Sequence, residues 1–271
     1  MGNLRERLPP PFRTVLGVLH EWLGALRLAA DLSSTARMMT DTLLFRLLGL
    51  VHVPGEGKER CVRLKDGVEI TYRLDRGDIQ SIREVWIDEA YDPPFPLEPN
   101  YVVDLGANIG LTTLWLSRRY RAARFIAVEP SAGNARLARI NFERNQVAAD
   151  LIEAAIGPRD GSVRFEGSRD SNRGRLGSTG DEVSMVSMST LLRRIPEGTN
   201  IDLMKMDIEG GEQELLTGDV AWLVRVRSII AEFHPEVVDY PGLIKRLERA
   251  GFRYLSPALT GRMDSFVRND A

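Results

Sequence analysis

The sequence predicts an α/β fold, a doubly wound parallel sheet covered by helices on both faces and preceded by an N-terminal helical extension. Three observations carry this. From Tyr101 onward, short apolar runs alternate with helical periodicity, and such alternation builds a parallel sheet. Tyr101-Val102-Val103 leads straight into Asp104-Leu105-Gly106-Ala107-Asn108-Ile109-Gly110, an acid and a glycine-spaced turn between a strand and a helix. Upstream, Phe12, Val15, Leu16, Leu19, Trp22, Leu23 and Leu26 recur at three- and four-residue steps, the period of one helix face.

In chain order, residues 12–50 read as helix, broken at Asp31 to Ser34 by capping residues and resumed as an apolar helix from Met38 to Leu48. The expected role of this region is docking on the catalytic domain, with dimerisation or peripheral membrane contact as alternatives. Cys61 to Leu64 and Val68 to Leu74 flank Asp66-Gly67, a hairpin signal. Gly77 to Ala90 is helical, and Asp92-Pro93-Pro94-Phe95-Pro96 is a stiff linker into the first core strand. Strands are expected near 101–104, 124–129, 150–154, 202–207 and 227–232, and helices near 110–119, 132–144, 211–217 and 241–250. Gly167 to Gly180, rich in Gly, Ser and Arg, reads as a mobile loop on a hairpin formed by the runs around Val163 and Met185. The domains are therefore placed at 1–55 (helical extension) and 56–271 (catalytic domain).

Composition narrows the function classes. With 36 Lys plus Arg against 38 Asp plus Glu, bulk charge gives no reason to expect a nucleic-acid partner. The single cysteine, Cys61, excludes an intrachain disulfide and a cysteine-rich zinc site, and suits a reducing, cytoplasmic location. Pro9-Pro10-Pro11 and His20-Glu21 interrupt any signal-peptide core, and Glu6 stands where a myristoylation signal needs Ser or Thr.

The chemistry is expected beyond the carboxyl ends of the strands. Gly106 and Gly110 let the backbone turn tightly and approach a ligand, and Asp104 can accept hydrogen bonds from an ammonium group. Glu129, closing Arg124-Phe125-Ile126-Ala127-Val128, stands about 20 residues on, where a ribose-binding acid belongs. The turn is not Gly-x-Gly-x-x-Gly, and no Tyr-x-x-x-Lys pair is present, so the combination points to S-adenosylmethionine rather than to NAD. A second polar end is Lys205-Met206-Asp207-Ile208-Glu209-Gly210-Gly211, where a buried Lys205 needs Asp207 or Glu209 as a partner. A third is Glu232-Phe233-His234. If the two strands are neighbours, their acids and His234 meet at one mouth. Helix capping is the bland reading of Asp207 and Glu209, and a turn histidine that of His234. Asp207, Glu232 and His234 also form a possible carboxylate–imidazole metal set, but no metal is expected. His20 and His52 receive no role.

With these residues located, the chain resembles the FkbM family of S-adenosylmethionine-dependent methyltransferases. The resemblance runs over about residues 60–256, with its core over about 100–256. It rests on Asp78-Ile79, Tyr91, Val103-Asp104-Leu105-Gly106-Ala107-Asn108-Ile109-Gly110, Ala127-Val128-Glu129-Pro130, Asn141, Asn145 and Ala155-Ile156-Gly157. Its most distinctive part is Lys205-Met206-Asp207-Ile208-Glu209-Gly210-Gly211-Glu212, backed by Glu232 and His234; Gly211 departs from the alanine usual there. The resemblance implies a class I methyltransferase (Rossmann-like) fold with a mostly parallel seven-stranded sheet, one strand near the C-terminus antiparallel, and Tyr254 and Phe266-Val267 in the final strands. It implies methyl transfer, most often to oxygen, on a sugar, glycolipid or secondary metabolite. Candidate cofactor-binding residues are Asp104, Gly106, Ala107, Asn108, Gly110, Glu129, Pro130 and Ala155; candidate catalytic residues are His234, Asp207 and Glu209. His234 has the unperturbed pKa for taking a proton, and Asp207 or Glu209 could serve instead. An N-methyltransferase or a non-catalytic S-adenosylmethionine-binding module are the alternatives. Arg169, Arg173 and Arg175 suggest an anionic acceptor or simply a solvated loop.

Overall fold

The computed structural model describes residues 10–47, 58–74, 77–166, 175–177, 180–255 and 263–269, with the side chains of 10–16, 47 and 175–177 outside that description. The chain forms two compact units, Met1–Ile87 and Asp88–Ala271.

In the first unit, α1 (Pro10–Leu28) and α2 (Leu32–Leu47) precede a hairpin of β1 (Glu59–Arg63) and β2 (Glu69–Arg73), then α3 (Asp78–Trp86). The break between α1 and α2 falls where the capping residues place it, and the Asp31 carboxylate accepts the Ser34 N–H at 2.7 Å. Gly67, at φ 86°, turns the hairpin. The unit ends after Ile87 rather than after residue 55 because the hairpin and α3 pack with the helices. Ala29 bridges to Leu64, the Ser34 hydroxyl accepts the Arg63 N–H at 3.0 Å, and Glu21 gathers Arg46 and Arg83, each at 2.7 Å. The helix face differs from the sequence pattern: α1 buries Ala25, and Ala29 just past its end is buried too, while Leu19, Leu23 and Leu26 are about half exposed. Small residues let α1 approach its neighbours closely, which the leucines would prevent. Phe12, Val15 and Leu16 lie outside the described side chains.

The second unit is built on a seven-stranded sheet of β3 (Tyr101–Leu105), β4 (Arg124–Val128), β5 (Ala149–Ile152), β10 (Leu203–Met206), β11 (Ser228–Ala231), β12 (Phe252–Tyr254) and β13 (Asp264–Arg268). Their order is β12-β13-β11-β10-β3-β4-β5. The five central strands run parallel, and β13 is antiparallel to both β11 and β12, as expected of a class I methyltransferase sheet. Helices α4 (Leu111–Arg119), α5 (Ala132–Arg144), α6 (Met188–Leu192), α7 (Glu212–Thr217) and α8 (Tyr240–Arg249) accompany it. Every residue of β3, β10 and β11 is buried, which explains their near-continuous apolar runs. One core joins Val103, Leu105, Met204, Met206, Ile229 and Phe266, each fully buried, and each such side chain contributes roughly 1.5–3 kcal/mol.

The expected strand at 150–154 divides. Past β5, β6 (Ala155–Gly157) joins β7 (Gly161–Glu166), β8 (Arg175–Gly177) and β9 (Asp181–Ser187) in a second, four-stranded sheet. β7 and β9 are the expected hairpin, paired antiparallel. Arg169 and Arg173 lie outside the described residues, as does the Arg175 side chain. Among the described residues, no helix is long and apolar enough to cross a membrane.

Candidate active site

The turn after β3 is held by its backbone. Gly106 and Gly110 sit at φ 79° and 84°, and Asn108 at φ 50°. A Cβ on Gly106 would lie 1.8 Å from the Asp207 carbonyl oxygen, so the turn rests directly on the end of β10. The N–H groups of Gly106 and Ala107 both donate to the Val128 carbonyl, at 3.0 and 2.9 Å. Glu129, 4% exposed, completes the clasp. It accepts the Asn108 N–H at 2.8 Å, the Ser131 N–H at 3.0 Å and the Asn134 side-chain amide at 3.1 Å. Burial pushes its pKa up to about 7 against those three donors. Asp104, expected to meet a ligand ammonium, also has partners within the fold. At 1% exposure, it accepts the Thr113 hydroxyl at 2.7 Å and pairs with Lys205 Nζ at 3.2 Å. Pro130 follows Glu129 and is partly exposed, while Ala155 is buried and opens β6 just past β5.

Lys205 is the seam between this turn and the next strand end. Register sets it opposite Asp104 across the β10–β3 pair. Its Nζ donates to the carbonyls of Gly106 at 2.6 Å and Leu105 at 3.3 Å. It lies 3.9 Å from Asp207 and over the Tyr91 ring at 5.4 Å. Burial works to lower its pKa, but Asp104 and Asp207 raise it further, and the net shift is upward. The partner expected within its own strand is thus secondary to a cross-strand one.

β10 and β11 end level with each other, with Met206 beside Ala231, so the following residues share one mouth. Asp207 accepts the Tyr91 hydroxyl at 3.1 Å through Oδ2, while its buried Oδ1 has no hydrogen-bond partner among the described residues. Glu209, in the left-handed region at φ 54°, meets His234 Nε2 at 3.2 Å. His234 Nδ1 faces Glu212 Oε1 at 3.6 Å, and that same oxygen accepts the Ile208 N–H at 2.9 Å. One ligand atom each from Asp207, Glu232 and His234 lie within 4.8 Å of one another. The expected convergence of Asp207, Glu209 and His234 is what the geometry shows. Glu212 received no role from the sequence, although it closes the most distinctive motif of the family resemblance; by itself an acid in the first turn of α7 reads as ordinary helix capping.

The electrostatics change one premise. Glu212 first, then Glu209 and Asp207, hold the His234 imidazole up at about 9 despite its partial burial. An imidazolium has no lone pair to receive a proton. Burial, with Asp207 adding repulsion, pushes Glu209 up to about 8. Burial likewise raises Asp207, against the pull of Lys205 and His234.

Sequence comparison decides the family. The methyltransferase FkbM domain model matches residues 104–254, from the buried acid of β3 to the end of β12. The chain belongs to the FkbM methyltransferase family. It is 26% identical to methyltransferase 1 of Beauveria bassiana over 63% of this chain and 79% of that protein. It is also 26% identical to methyltransferase sdnD of Sordaria araneosa, over 67% and 85%. The 31-O-demethyl-FK506 methyltransferase FkbM of Streptomyces tacrolimicus is 26% identical over 64% and 81%.

This FkbM-family protein is an S-adenosylmethionine-dependent methyltransferase, and its turn fits that cofactor. A carboxylate offers about four acceptor positions; Glu129 has three filled, leaving one for a ribose hydroxyl. The buried Asn108 Oδ1 has no hydrogen-bond partner among the described residues. Gly110 brings no side-chain cap to α4, whose first N–H groups are therefore not capped by a side chain.

Proposed function

We propose that this methyltransferase acts on a hydroxyl oxygen of a sugar, glycolipid or secondary metabolite, bound as a small molecule or as a glycan- or lipid-linked acceptor. The observation carrying this reading is the set of hydrogen-bond acceptors at the β10–β11 mouth, of which Asp207 Oδ1 is buried without a donor. A hydroxyl supplies that donor and keeps a lone pair for the methyl group. An amine among these carboxylates would be held as ammonium, which has no lone pair, so the site favours oxygen over nitrogen. The name of the Streptomyces relative, a methyltransferase of a 31-O-demethyl compound, agrees with oxygen.

S-adenosylmethionine, when bound, supplies a methyl group already activated on a sulfonium. What remains for the protein is alignment of the acceptor and removal of its proton. Asp207, fixed by Tyr91 and Lys205, orients the acceptor hydroxyl. Glu209 is the proton acceptor in its ionised form, which the paired His234 favours and which grows as pH rises through about 8. It is the most open of the three, its side chain 23% exposed against 15% for Asp207 and 14% for His234. His234 holds the Glu209 carboxylate in place. The intact strand ends argue against a non-catalytic binding module.

Incubation with methyl-labelled cofactor and a panel of polyol, glycolipid and polyketide acceptors tests this reading, with the product bond assigned by NMR. A methyl ether is the expected product. Exclusive N-methylation, or cofactor binding without transfer to any acceptor in the panel, would overturn it.

A further inference from the structure

We propose that the helix pair α1 and α2 docks on the surface of an anionic lipid bilayer, lying along it without crossing it. Single exposed leucines are ordinary on a protein surface, whereas a contiguous apolar row marks a contact site. Of the seven large apolar side chains exposed among the described residues, five stand on these two helices: Leu19, Leu23, Leu26, Leu32 and Leu43. They fall in rows. Leu19, Leu23 and Leu26 follow one another at four- and three-residue steps, which is one face of α1. Gly24 and Ala25 are buried on the packed side, so that row looks outward. On α2 the same stepping runs through Leu32, 89% exposed, then Ala36, Met39 and Leu43, while Ser34, Met38 and Asp41 are buried on the other side. Trp22 stands a helical turn from both Leu19 and Leu26. Its indole N–H donates to the Met39 carbonyl at 3.2 Å, so the two rows adjoin.

Charge selects the occupant. The two helices carry two acids, Glu21 and Asp41, and both are turned inward. Glu21, its side chain 9% exposed, gathers Arg46 and Arg83. Asp41 is fully buried against Arg60 and the Tyr72 hydroxyl. Asp31, exposed between the helices, is engaged in capping α2 through Ser34. The charged side chains that α1 and α2 expose are cations, Arg27 and Arg37. Lys65, exposed in the turn between β1 and β2, donates its ammonium to the Leu26 carbonyl at 3.0 Å, which sets a further cation at the end of the leucine row. An apolar row edged by cations matches an anionic headgroup layer. The leucines enter the boundary between headgroups and acyl chains, while the arginines and the lysine keep their charge among the phosphates. A second copy of this chain would bring the same cations to the contact and no exposed helix acid to receive them. Neither helix is long and apolar enough to cross a membrane, so the contact is with its surface. This face lies wholly in the first unit and owes nothing to the choice of methyl acceptor.

The test mixes the full chain with vesicles of phosphatidylcholine alone, or of equal parts phosphatidylcholine and phosphatidylglycerol, and measures the bound fraction by flotation. Binding to the anionic vesicles is expected to be at least about 10-fold tighter than to the neutral ones, and to weaken as salt screens the cations. Leu23→Asp is expected to weaken it at least about 10-fold, and Arg27→Gln and Lys65→Gln by about 5-fold each. These side chains are exposed, so melting temperature and S-adenosylmethionine affinity should stay at their wild-type values. Should Leu23→Asp fail to fold, Leu32→Asp, at a more exposed position, takes its place. Failure of the wild-type chain to float with either vesicle overturns the proposal. So does equal binding to both vesicles, or wild-type binding by a folded leucine variant. Sedimentation in lipid-free buffer tests the second copy: a dimer that Leu23→Asp splits, with no vesicle binding, assigns the face to self-association and overturns the bilayer. Variants that lose vesicle binding yet still methylate a water-soluble acceptor support it, and a failed docking experiment leaves the methyl-transfer reading intact.

Discussion

Glu129 at the end of β4 and Asp207 at the end of β10 are acids on either side of β3, yet their surroundings are opposite. Glu129 spends its oxygens on two backbone N–H groups and one side-chain amide, and through them it shapes the turn proposed to receive the cofactor. Asp207 has one oxygen engaged by Tyr91 and the other buried without a donor. His234 Nδ1 and Glu212 Oε2 nearby are likewise without hydrogen-bond partners. A satisfied buried network is rigid, and an unsatisfied one is costly until something arrives to complete it. The cofactor side is therefore built in advance, and the acceptor side is left for the acceptor to complete.

The largest break is expected at the seam. Lys205→Met strands Asp104, whose side chain is 1% exposed, and releases two carbonyls of the turn. Loss of about 3–5 kcal/mol of stability is expected, measured from denaturant midpoints. An unchanged midpoint would mean that Lys205 does not join the two halves.

Variants of the acceptor side should cost chemistry and not folding. Glu209→Gln is expected to cut turnover about 100- to 10,000-fold at unchanged melting temperature and cofactor affinity. His234→Ala should fall by less than Glu209→Gln, because the imidazole acts here through the carboxylate. Single-turnover methyl transfer at saturating cofactor ranks them, and the reverse order returns the proton to His234.

On the cofactor side the expected pattern inverts. Glu129→Ala should weaken S-adenosylmethionine binding by roughly 1.5–3 kcal/mol, read by calorimetry, because the clasp and the ribose acceptor go together. The same residue sets a pH dependence. With its native pKa raised to about 7 from about 4.3 in the unfolded chain, the folded state keeps a proton that the unfolded state has released. Its contribution to stability is therefore present below about pH 4.3, declines as pH rises, and is gone above about 7. Cofactor affinity should rise around pH 7, where the folded-state carboxyl ionises. The slope of melting temperature against pH should flatten in Glu129→Gln relative to wild type; parallel slopes would assign it to other groups.

The smallest effect is expected at Gly211. Its φ of −67° suits any residue, and an added Cβ would meet only the flexible end of Ile208 at 3.1 Å. Gly211→Ala should change stability by less than about 1 kcal/mol in either direction.

Much of this was legible in the sequence because it depends on neighbours along the chain. The helix at Ala132–Arg144 and the hairpin at Asp66-Gly67 follow from periodicity and turn chemistry. The glycine turn follows from residues that tolerate a positive φ most readily, and the pair of final strands followed from the family resemblance. The misread parts depend on what lies across a gap. The leucine stripe of α1 is a sound amphipathic pattern, but which face meets a neighbour is set by close approach at Ala25 and Ala29.

Lys205 marks the boundary most clearly. Its residue type, inside an apolar strand, determined by itself that a buried cation needed a carboxylate. Which carboxylate was decided only by tertiary structure. Residues two apart on one strand lie about 6.5 Å from each other, whereas adjacent strands are about 4.8 Å apart. Strand order places Asp104 beside Lys205, so the cross-strand acid is the nearer one. The sequence likewise determined that Asp207, Glu209 and His234 stand at strand ends. Only the level ending of β10 and β11 brought them to one mouth, and only there do Glu212, Glu209 and Asp207 together hold the His234 imidazole up at about 9.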